Sequence, residues 1–99
     1  MLFAFVLHDA PGMAARRLEV RPEHKAYLTA VAERIAFAGP LLDEAGEMKG
    51  SLLVIDFADR DAALAWLASE PFTRAGVYGR SEVSAFRNLW PQKVGFPEA

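Results

Sequence analysis

Two long apolar runs and two stretches of helical spacing predict the order of elements in this chain. Residues 2–7 are apolar at every position and precede a turn-like segment at 9–12, which is typical of a strand buried on both faces. Residues 51–57 form a second long apolar strand. Between these strands, apolar residues recur at helical spacing from Pro22 to about Phe37 and predict an amphipathic helix. Arg16 to Val20 are a candidate for a short helical lead-in to it.

The second predicted helix has clear start and stop signals. Asp59 is an expected N-cap, the apolar stripe continues to about Ser69, and Pro71 ends the helix. The remaining predicted elements are an edge strand at 40–42, a hairpin connection at 43–50, one helical turn at 72–75 and a last strand at 80–90.

The predicted order β-α-β-β-α-β is the ferredoxin-like pattern, an α+β fold with both helices on one face of the sheet. Both long strands are apolar on both faces, so the second sheet face exposes a larger apolar patch than a monomer usually tolerates. We therefore predict a homodimer that buries the two sheet faces against each other. The alternative is that the tail, with Trp90 and Phe96, folds over part of this face.

Composition narrows the classes of protein and partner. At 99 residues the chain is one domain, with a core at about 2–89 and an irregular tail at 90–99. The net charge is −2 with no Lys/Arg run, so nucleic acid is not an expected partner. The absence of cysteine excludes disulfides and thiol catalysis and suits a reducing cytoplasm. Since the N-terminal apolar run is too short for a signal peptide or a membrane span, we expect a soluble, cytoplasmic protein.

His24 is the strongest candidate for a chemical group. It closely follows Pro22, which suits a first helical turn because proline has no N–H to leave unpaired. The positive end of a helix dipole disfavours a second positive charge, so an imidazole there stays neutral and can accept a proton. Asp9 is the expected partner that orients the ring, because a strand end and the following helix start commonly share one sheet edge. The alternative for Asp9 is an ordinary turn residue ahead of Ala-Pro-Gly. The alternative for His24 is an ordinary solvated histidine.

An ordered set of short segments resembles a known family across about residues 2–89. The segments are 2–9, Arg16-Arg17, Arg21-Pro22-Glu23-His24, Ala38-Gly39-Pro40-Leu41, Gly50-Ser51, Ser69-Glu70-Pro71-Phe72 and Ala75-Gly76-Val77-Tyr78. Together they are similar to the YciI-like (YCII-related) domain, although no single segment is specific. The resemblance implies a ferredoxin-like fold of the dimeric α/β-barrel type and an active site built on a histidine and an aspartate.

The resemblance also implies roles for three residues. His24 matches the family's histidine, and Asp9 matches the aspartate that follows the first strand. Glu70 falls in the family's Asp-Pro-Phe motif, so it is a candidate second acid whose arm is one methylene longer; the alternative is a surface residue ahead of Pro71. Most members have no known reaction, and some resemble small lyases that remove HCl from, or isomerise, ring-cleavage products.

Two arginines and a tyrosine are candidates for substrate binding. Arg17 or Arg21 can hold a carboxylate, because a guanidinium offers a planar fork for bidentate contact. The alternative is a solvated cluster together with Arg16. Tyr78 is either a pocket residue or a packing residue.

The predicted function is a cofactor-free lyase or isomerase that moves a proton on a small anionic metabolite. His8, Asp9 and His24 are residue types that can bind a metal, but their spacing matches no standard metal-site signature. The sequence also contains no cofactor-binding motif. We therefore expect neither metal nor cofactor. The alternatives are a non-catalytic dimer that binds a small molecule in the same pocket, and a purely structural dimerisation domain.

Overall fold

A four-stranded antiparallel sheet with helices packed on one face forms the fold in the computed structural model, which describes residues 1–93 and 95–96. The elements are β1 (Leu2–Asp9), α1 (Ala14–Thr29), β2 (Ile35–Leu42), β3 (Met48–Asp56), α2 (Arg60–Ala68), α3 (Pro71–Arg74) and β4 (Tyr78–Phe86), with a single 3-10 turn at Ala32–Arg34 before β2. The strand order is β2-β3-β1-β4. This confirms the predicted ferredoxin-like α+β fold.

The core lies between the sheet and the helices, as the alternation of side chains along a strand requires. Phe3, Phe5 and Leu7 of β1 are buried on the helix side and pack with buried residues of β3 and α2. Trp66 of α2 lies with its ring centroid 5.6 Å from that of Phe5. Aromatic and aliphatic side chains of the sheet therefore hold α2 in place together.

The predicted start of the first helix at Pro22 is wrong, whereas the helical lead-in expected at 16–20 is part of this helix. Helix α1 begins at Ala14, directly after a turn in which Gly12 has a φ of 76°, and Pro22 lies inside it. The inward side chains of its first turns are Arg17 and Val20, and the charge on Arg17 hides the buried stripe from a search for apolar periodicity. His24 therefore lies well inside α1, and the helix-dipole argument for its neutral state fails.

The predicted end of that helix near Phe37 is also wrong. Helix α1 ends at Thr29, and β2 runs over eight residues rather than the three predicted at 40–42. Ile35 pairs with Ile55 and Phe37 with Val54, so pairing with β3 outweighs helical spacing in this segment. Strand β2 lies at the edge of the sheet, which confirms the position predicted from Pro40.

The second half of the chain follows the predicted pattern more closely. The Asp59 side chain caps α2 by accepting a hydrogen bond of 2.8 Å from the Ala62 N–H, and α3 is the expected single turn after Pro71. Strand β4 begins and ends earlier than predicted, at Tyr78 and Phe86.

The chain after β4 covers one end of the open sheet face. Trp90 and Phe96 line a cavity of about 290 Å³ together with residues of that face such as Leu2, Val54 and Phe86. Trp90 nevertheless remains 83% exposed. The predicted tail includes Val94 and residues 97–99, which lie outside the described residues. None of the described helices is long and apolar enough to cross a membrane.

Candidate active site

A cavity of about 210 Å³ opens between α1, β2 and β3, with α3 at its wall. Its lining residues are Arg17, Arg21, His24, Lys25, Leu28, Ala38, Gly39, Pro40, Met48, Ser51, Leu53 and Phe72. None of them carries a carboxylate, and three carry a permanent positive charge. Arg21 and Lys25 are four residues apart, so they share one face of α1. Within the described part of the chain neither forms an ion pair, which leaves both charges available to an anion.

His24 is held by a buried acid. Its Nδ1 lies 2.7 Å from Oε1 of Glu70, whose side chain is fully buried. The same Oε1 accepts a hydrogen bond of 3.0 Å from the Phe72 N–H, because Glu70 is the N-cap of α3. The imidazole also stacks on the Phe72 ring with centroids 4.0 Å apart and planes 12° apart. These contacts fix the ring and leave Nε2 without a hydrogen bond to any described residue.

The carboxylate of Glu70 also shapes the electrostatics around His24. Its second oxygen, Oε2, is buried and has no hydrogen-bond partner among the described residues. Glu70 therefore places a buried carboxylate directly beside the imidazole of His24.

Asp9 does not orient His24, and that expectation is wrong. Both oxygens of Asp9 accept hydrogen bonds from Nη1 of Arg17, at 2.8 and 3.1 Å. Burial raises the pKa of Asp9 above its usual value, and the Arg17 guanidinium opposes this rise. Asp9 is absent from the cavity wall, so its role in the structure is to hold Arg17.

Arg17 is buried rather than part of a solvated cluster. Its Nη2 donates to the Gly50 carbonyl oxygen at 3.0 Å and to Ser51 Oγ at 2.9 Å, and its guanidinium carbon lies 4.7 Å from the centroid of the Phe72 ring. A side chain at position 50 would overlap the backbone of β1, so only glycine allows this close approach. Because protein groups already surround Arg17, Arg21 is the better placed of the two candidate anion clamps.

Tyr78 lies behind the cavity wall rather than on it. Its hydroxyl donates to Ser51 Oγ at 3.0 Å, and its ring packs edge-on against Phe72 with centroids 5.7 Å apart. Burial and the nearby Glu70 charge raise the pKa of Tyr78 far above its ordinary value. Tyr78 therefore keeps its proton and supports the wall as a hydrogen-bond donor.

His8 lies apart from this constellation. Its side chain is on the other face of the sheet, where Nε2 is 3.3 Å from Oε1 of Glu82 and 3.0 Å from Nη2 of Arg80. His8, Asp9 and His24 thus do not converge. Among the described residues, no group of three His, Cys, Asp or Glu side chains is arranged to hold a metal ion.

Comparison with known proteins places the chain in a family. The YCII-related domain matches residues 1–87. Protein YciI of Escherichia coli is 32% identical over 98 residues, which cover 91% of this chain and all of that protein. The chain belongs to the YCII-related family. An uncharacterised protein of Haemophilus influenzae is also 32% identical over 99 residues, covering 91% of this chain and all of its own length.

A solved structure of an enzyme is similar to this YCII-related chain. It is the 5-chloro-2-hydroxyhydroquinone dehydrochlorinase TftG of Burkholderia phenoliruptrix, in complex with 2,5-dihydroxybenzoquinone. The TM-score is 0.83 and the sequence identity is 28%, with 88% of this chain and 94% of the enzyme covered. The likeness therefore extends over nearly the whole fold.

Within this YCII-related fold, Glu70 contacts His24 although its side chain is one methylene longer than the aspartate that the family resemblance implies. Two polar residues of the cavity wall, Lys25 and Ser51, are not among the residues predicted from the sequence. The four-residue spacing from Arg21 was the available signal for Lys25. For Ser51 the signal was a hydroxyl in an otherwise apolar strand, at a position that faces the helices.

Proposed function

We propose that this protein is a cofactor-free lyase or isomerase in which His24 removes a proton from carbon in a small anionic substrate. The observation that carries the proposal is the contact between His24 Nδ1 and the buried Glu70 carboxylate at the wall of a cation-lined cavity. Glu70 is a positioning residue. By accepting a hydrogen bond from Nδ1–H it leaves the lone pair of Nε2 for the substrate.

The proton transfer requires an acidic C–H bond next to a carbonyl group. As that bond breaks, the proton goes to His24 Nε2, the C–H electron pair forms a carbon–carbon double bond, and the carbonyl π pair moves onto oxygen. The resulting enolate either returns the proton at a different carbon, which is isomerisation, or reforms the carbonyl while a leaving group departs with its electron pair, which is elimination. Glu70 stabilises the imidazolium that exists between the two steps.

The dehydrochlorinase supports the elimination route. Its name describes loss of hydrogen chloride, and its structure holds a small oxygenated ring. The cavity in this chain combines apolar side chains such as Leu28 and Leu53 with the charges of Arg21 and Lys25. Such a surface suits a small flat molecule with at least one anionic oxygen.

The test is hydrogen exchange and elimination with defined probes. Pyruvate, acetoacetate and oxaloacetate are incubated with the protein in D2O and followed by NMR, and chloride release is followed with 4-chloro-2-oxobutanoate, which has an acidic C–H bond next to its carbonyl and chlorine on the following carbon. We expect the protein to accelerate at least one reaction over buffer, and His24→Gln to lower that rate by about 10²- to 10⁴-fold. His8→Gln is the matched control, since His8 lies on the opposite sheet face.

Two results would contradict this function. A protein that accelerates none of these reactions, yet returns a bound probe unchanged, would be the non-catalytic binding dimer instead. Equal rates for His24→Gln and the unaltered protein would show that the histidine is not the base.

We also propose that the protein works as a homodimer in the cytoplasm. The open sheet face supports the dimer, because Val6 pairs with Leu52 at its centre and both are only partly buried in the single chain. Leu52→Glu should therefore produce a monomer in equilibrium sedimentation, since two buried carboxylates would meet across the interface. The control is Leu18→Glu on the exposed side of α1, which should remain dimeric. A monomeric unaltered protein at micromolar concentration would disprove the assembly.

A further inference from the structure

Ser51 is a polar group on the cavity wall that the proton-transfer step described above does not use. Among the described lining residues Ser51 alone carries a hydroxyl group, and only 1% of its surface is exposed. Its side chain lies on the helix side of β3, like that of Leu53 two residues further on. Buried hydroxyl groups in proteins are generally hydrogen-bonded.

The hydrogen bonds of Ser51 use its oxygen twice as an acceptor. Arg17 Nη2 donates at 2.9 Å, and a guanidinium can only donate. Tyr78 donates its hydroxyl proton at 3.0 Å, and this phenol keeps its proton because burial raises its pKa far above the ordinary value. Both lone pairs of Ser51 Oγ are therefore engaged. The hydroxyl proton of Ser51 has no acceptor among the described residues.

We infer that Ser51 donates this proton in a hydrogen bond to the substrate oxygen that becomes an oxyanion when His24 removes the carbon-bound proton. The inference rests on the proposed function and adds a catalytic residue to it. The donor is fixed in direction by Arg17 and Tyr78 before the substrate binds, so it costs little reorganisation in the transition state. The Arg17 charge also polarises the hydroxyl and strengthens it as a donor.

This arrangement defines a substrate class. The carbonyl oxygen must reach Ser51 while the acidic C–H faces His24 Nε2, and a separate anionic group can lie toward Arg21 and Lys25. Small keto acids with a C–H bond next to the keto group meet these three requirements. A carboxylic acid that lacks a ketone or aldehyde group would bind only through Arg21 and Lys25.

The test measures affinity for an oxyanion without requiring turnover. The probe is 4-nitrophenolate, titrated calorimetrically at a pH at which it is fully ionised, and nitrobenzene is the comparison ligand without the anionic oxygen. Ser51→Ala should bind the phenolate roughly 10- to 100-fold more weakly, as expected for loss of one hydrogen bond to a charged oxygen. Affinity for nitrobenzene should not change. Ser69→Ala is the matched control, because Ser69 is exposed beyond the end of α2.

A second variant covers the case in which Ser51→Ala misfolds or lets Arg17 and Tyr78 donate directly to the probe. Ser51→Cys fills the space with a weak donor and should show the same selective loss. Folded Ser51→Cys that binds 4-nitrophenolate as tightly as the unaltered protein overturns the inference. If the rate of hydrogen exchange depends on His24 but the affinity for 4-nitrophenolate does not change when Ser51 is replaced, only the role assigned to Ser51 is wrong. If affinity depends on Ser51 but no exchange occurs, the proposed reaction fails and Ser51 remains a donor to a bound anion.

Discussion

Replacing Glu70 by glutamine should lower the rate of the proposed proton transfer by about 10²-fold while leaving the protein folded. Glutamine is nearly isosteric, and its Oε1 can still accept the hydrogen bond from Phe72 N–H that caps α3. What it removes is the negative charge next to His24 Nδ1. The imidazolium formed during the reaction then lacks its stabilising partner, and the barrier rises. Steady-state rates of the exchange or elimination reaction, measured beside a thermal unfolding curve, give the result.

A double-mutant cycle separates this effect from a structural one. If Glu70 acts through His24, Glu70→Gln should lower the rate of the protein that carries His24 but add no further loss in the His24→Gln background. A residue that only holds α3 would lower the rate by the same factor in both backgrounds. Unchanged kcat in a folded Glu70→Gln would rule out the His24–Glu70 pair as the proton-transfer unit.

Glu70→Asp tests reach rather than charge. Aspartate is the residue that the family resemblance implies at this position, and it keeps both the charge and the helix cap. Its arm is shorter by one carbon–carbon bond of about 1.5 Å, which would break a contact of 2.7 Å in this backbone. We expect a rate between those of Glu70→Gln and the unaltered protein.

The parts of the fold that the sequence predicted well are those with local signals. Strands β1 and β3 are continuous apolar runs, and the Asp59 cap of α2 depends on a contact only three residues away. Helix α1 and strand β2 were misplaced because their determinants are distant. Arg17 is buried only because Asp9, Gly50 and Ser51 satisfy it, and β2 forms only because β3 lies beside it.

The candidate site also combines residues with a signal in the sequence and contacts between distant residues that the sequence does not show. His24 and Glu70 could each be singled out by residue type and family resemblance, but 46 positions separate them and no local pattern shows that they meet. His24 was predicted to lie in a first helical turn, but it lies in the interior of α1. Asp9 was paired with His24 because a strand end and the following helix start commonly share one sheet edge, whereas its partner in the structure is the buried Arg17.

Arg17→Met should be the most destabilising of the substitutions considered, at a cost of about 3–5 kcal/mol in the free energy of unfolding. Methionine keeps the packing of the aliphatic stem but leaves the Asp9 carboxylate without its partner in a largely buried site. It also leaves the Gly50 carbonyl without the Arg17 donor. Urea unfolding at a fixed protein concentration measures the change. The matched control is Arg16→Met, whose exposed ion pair with Glu19 should contribute less than about 1 kcal/mol.

The cost of Arg17→Met should depend on pH in a direction that Asp9 sets. Burial already raises the pKa of Asp9, and removing the opposing guanidinium raises it further. A carboxyl group whose pKa is higher in the folded state stabilises the fold at low pH, and this contribution is lost as pH rises through the folded-state pKa. The variant should therefore lose more stability at pH 7 than at about pH 4, near the unfolded value for aspartate.

Removing both partners should recover part of the loss, because the double variant Asp9→Leu with Arg17→Met leaves no unpaired charge in the site. A double variant that is as unstable at pH 7 as Arg17→Met alone would instead place the cost in the lost contacts to Gly50, Ser51 and the Phe72 ring. In that case the stability lost in Arg17→Met should also be the same at pH 4 and pH 7, since only an unpaired Asp9 would make that loss depend on pH. The two measurements together decide whether Arg17 stabilises the fold by neutralising Asp9 or by joining β3 to α3.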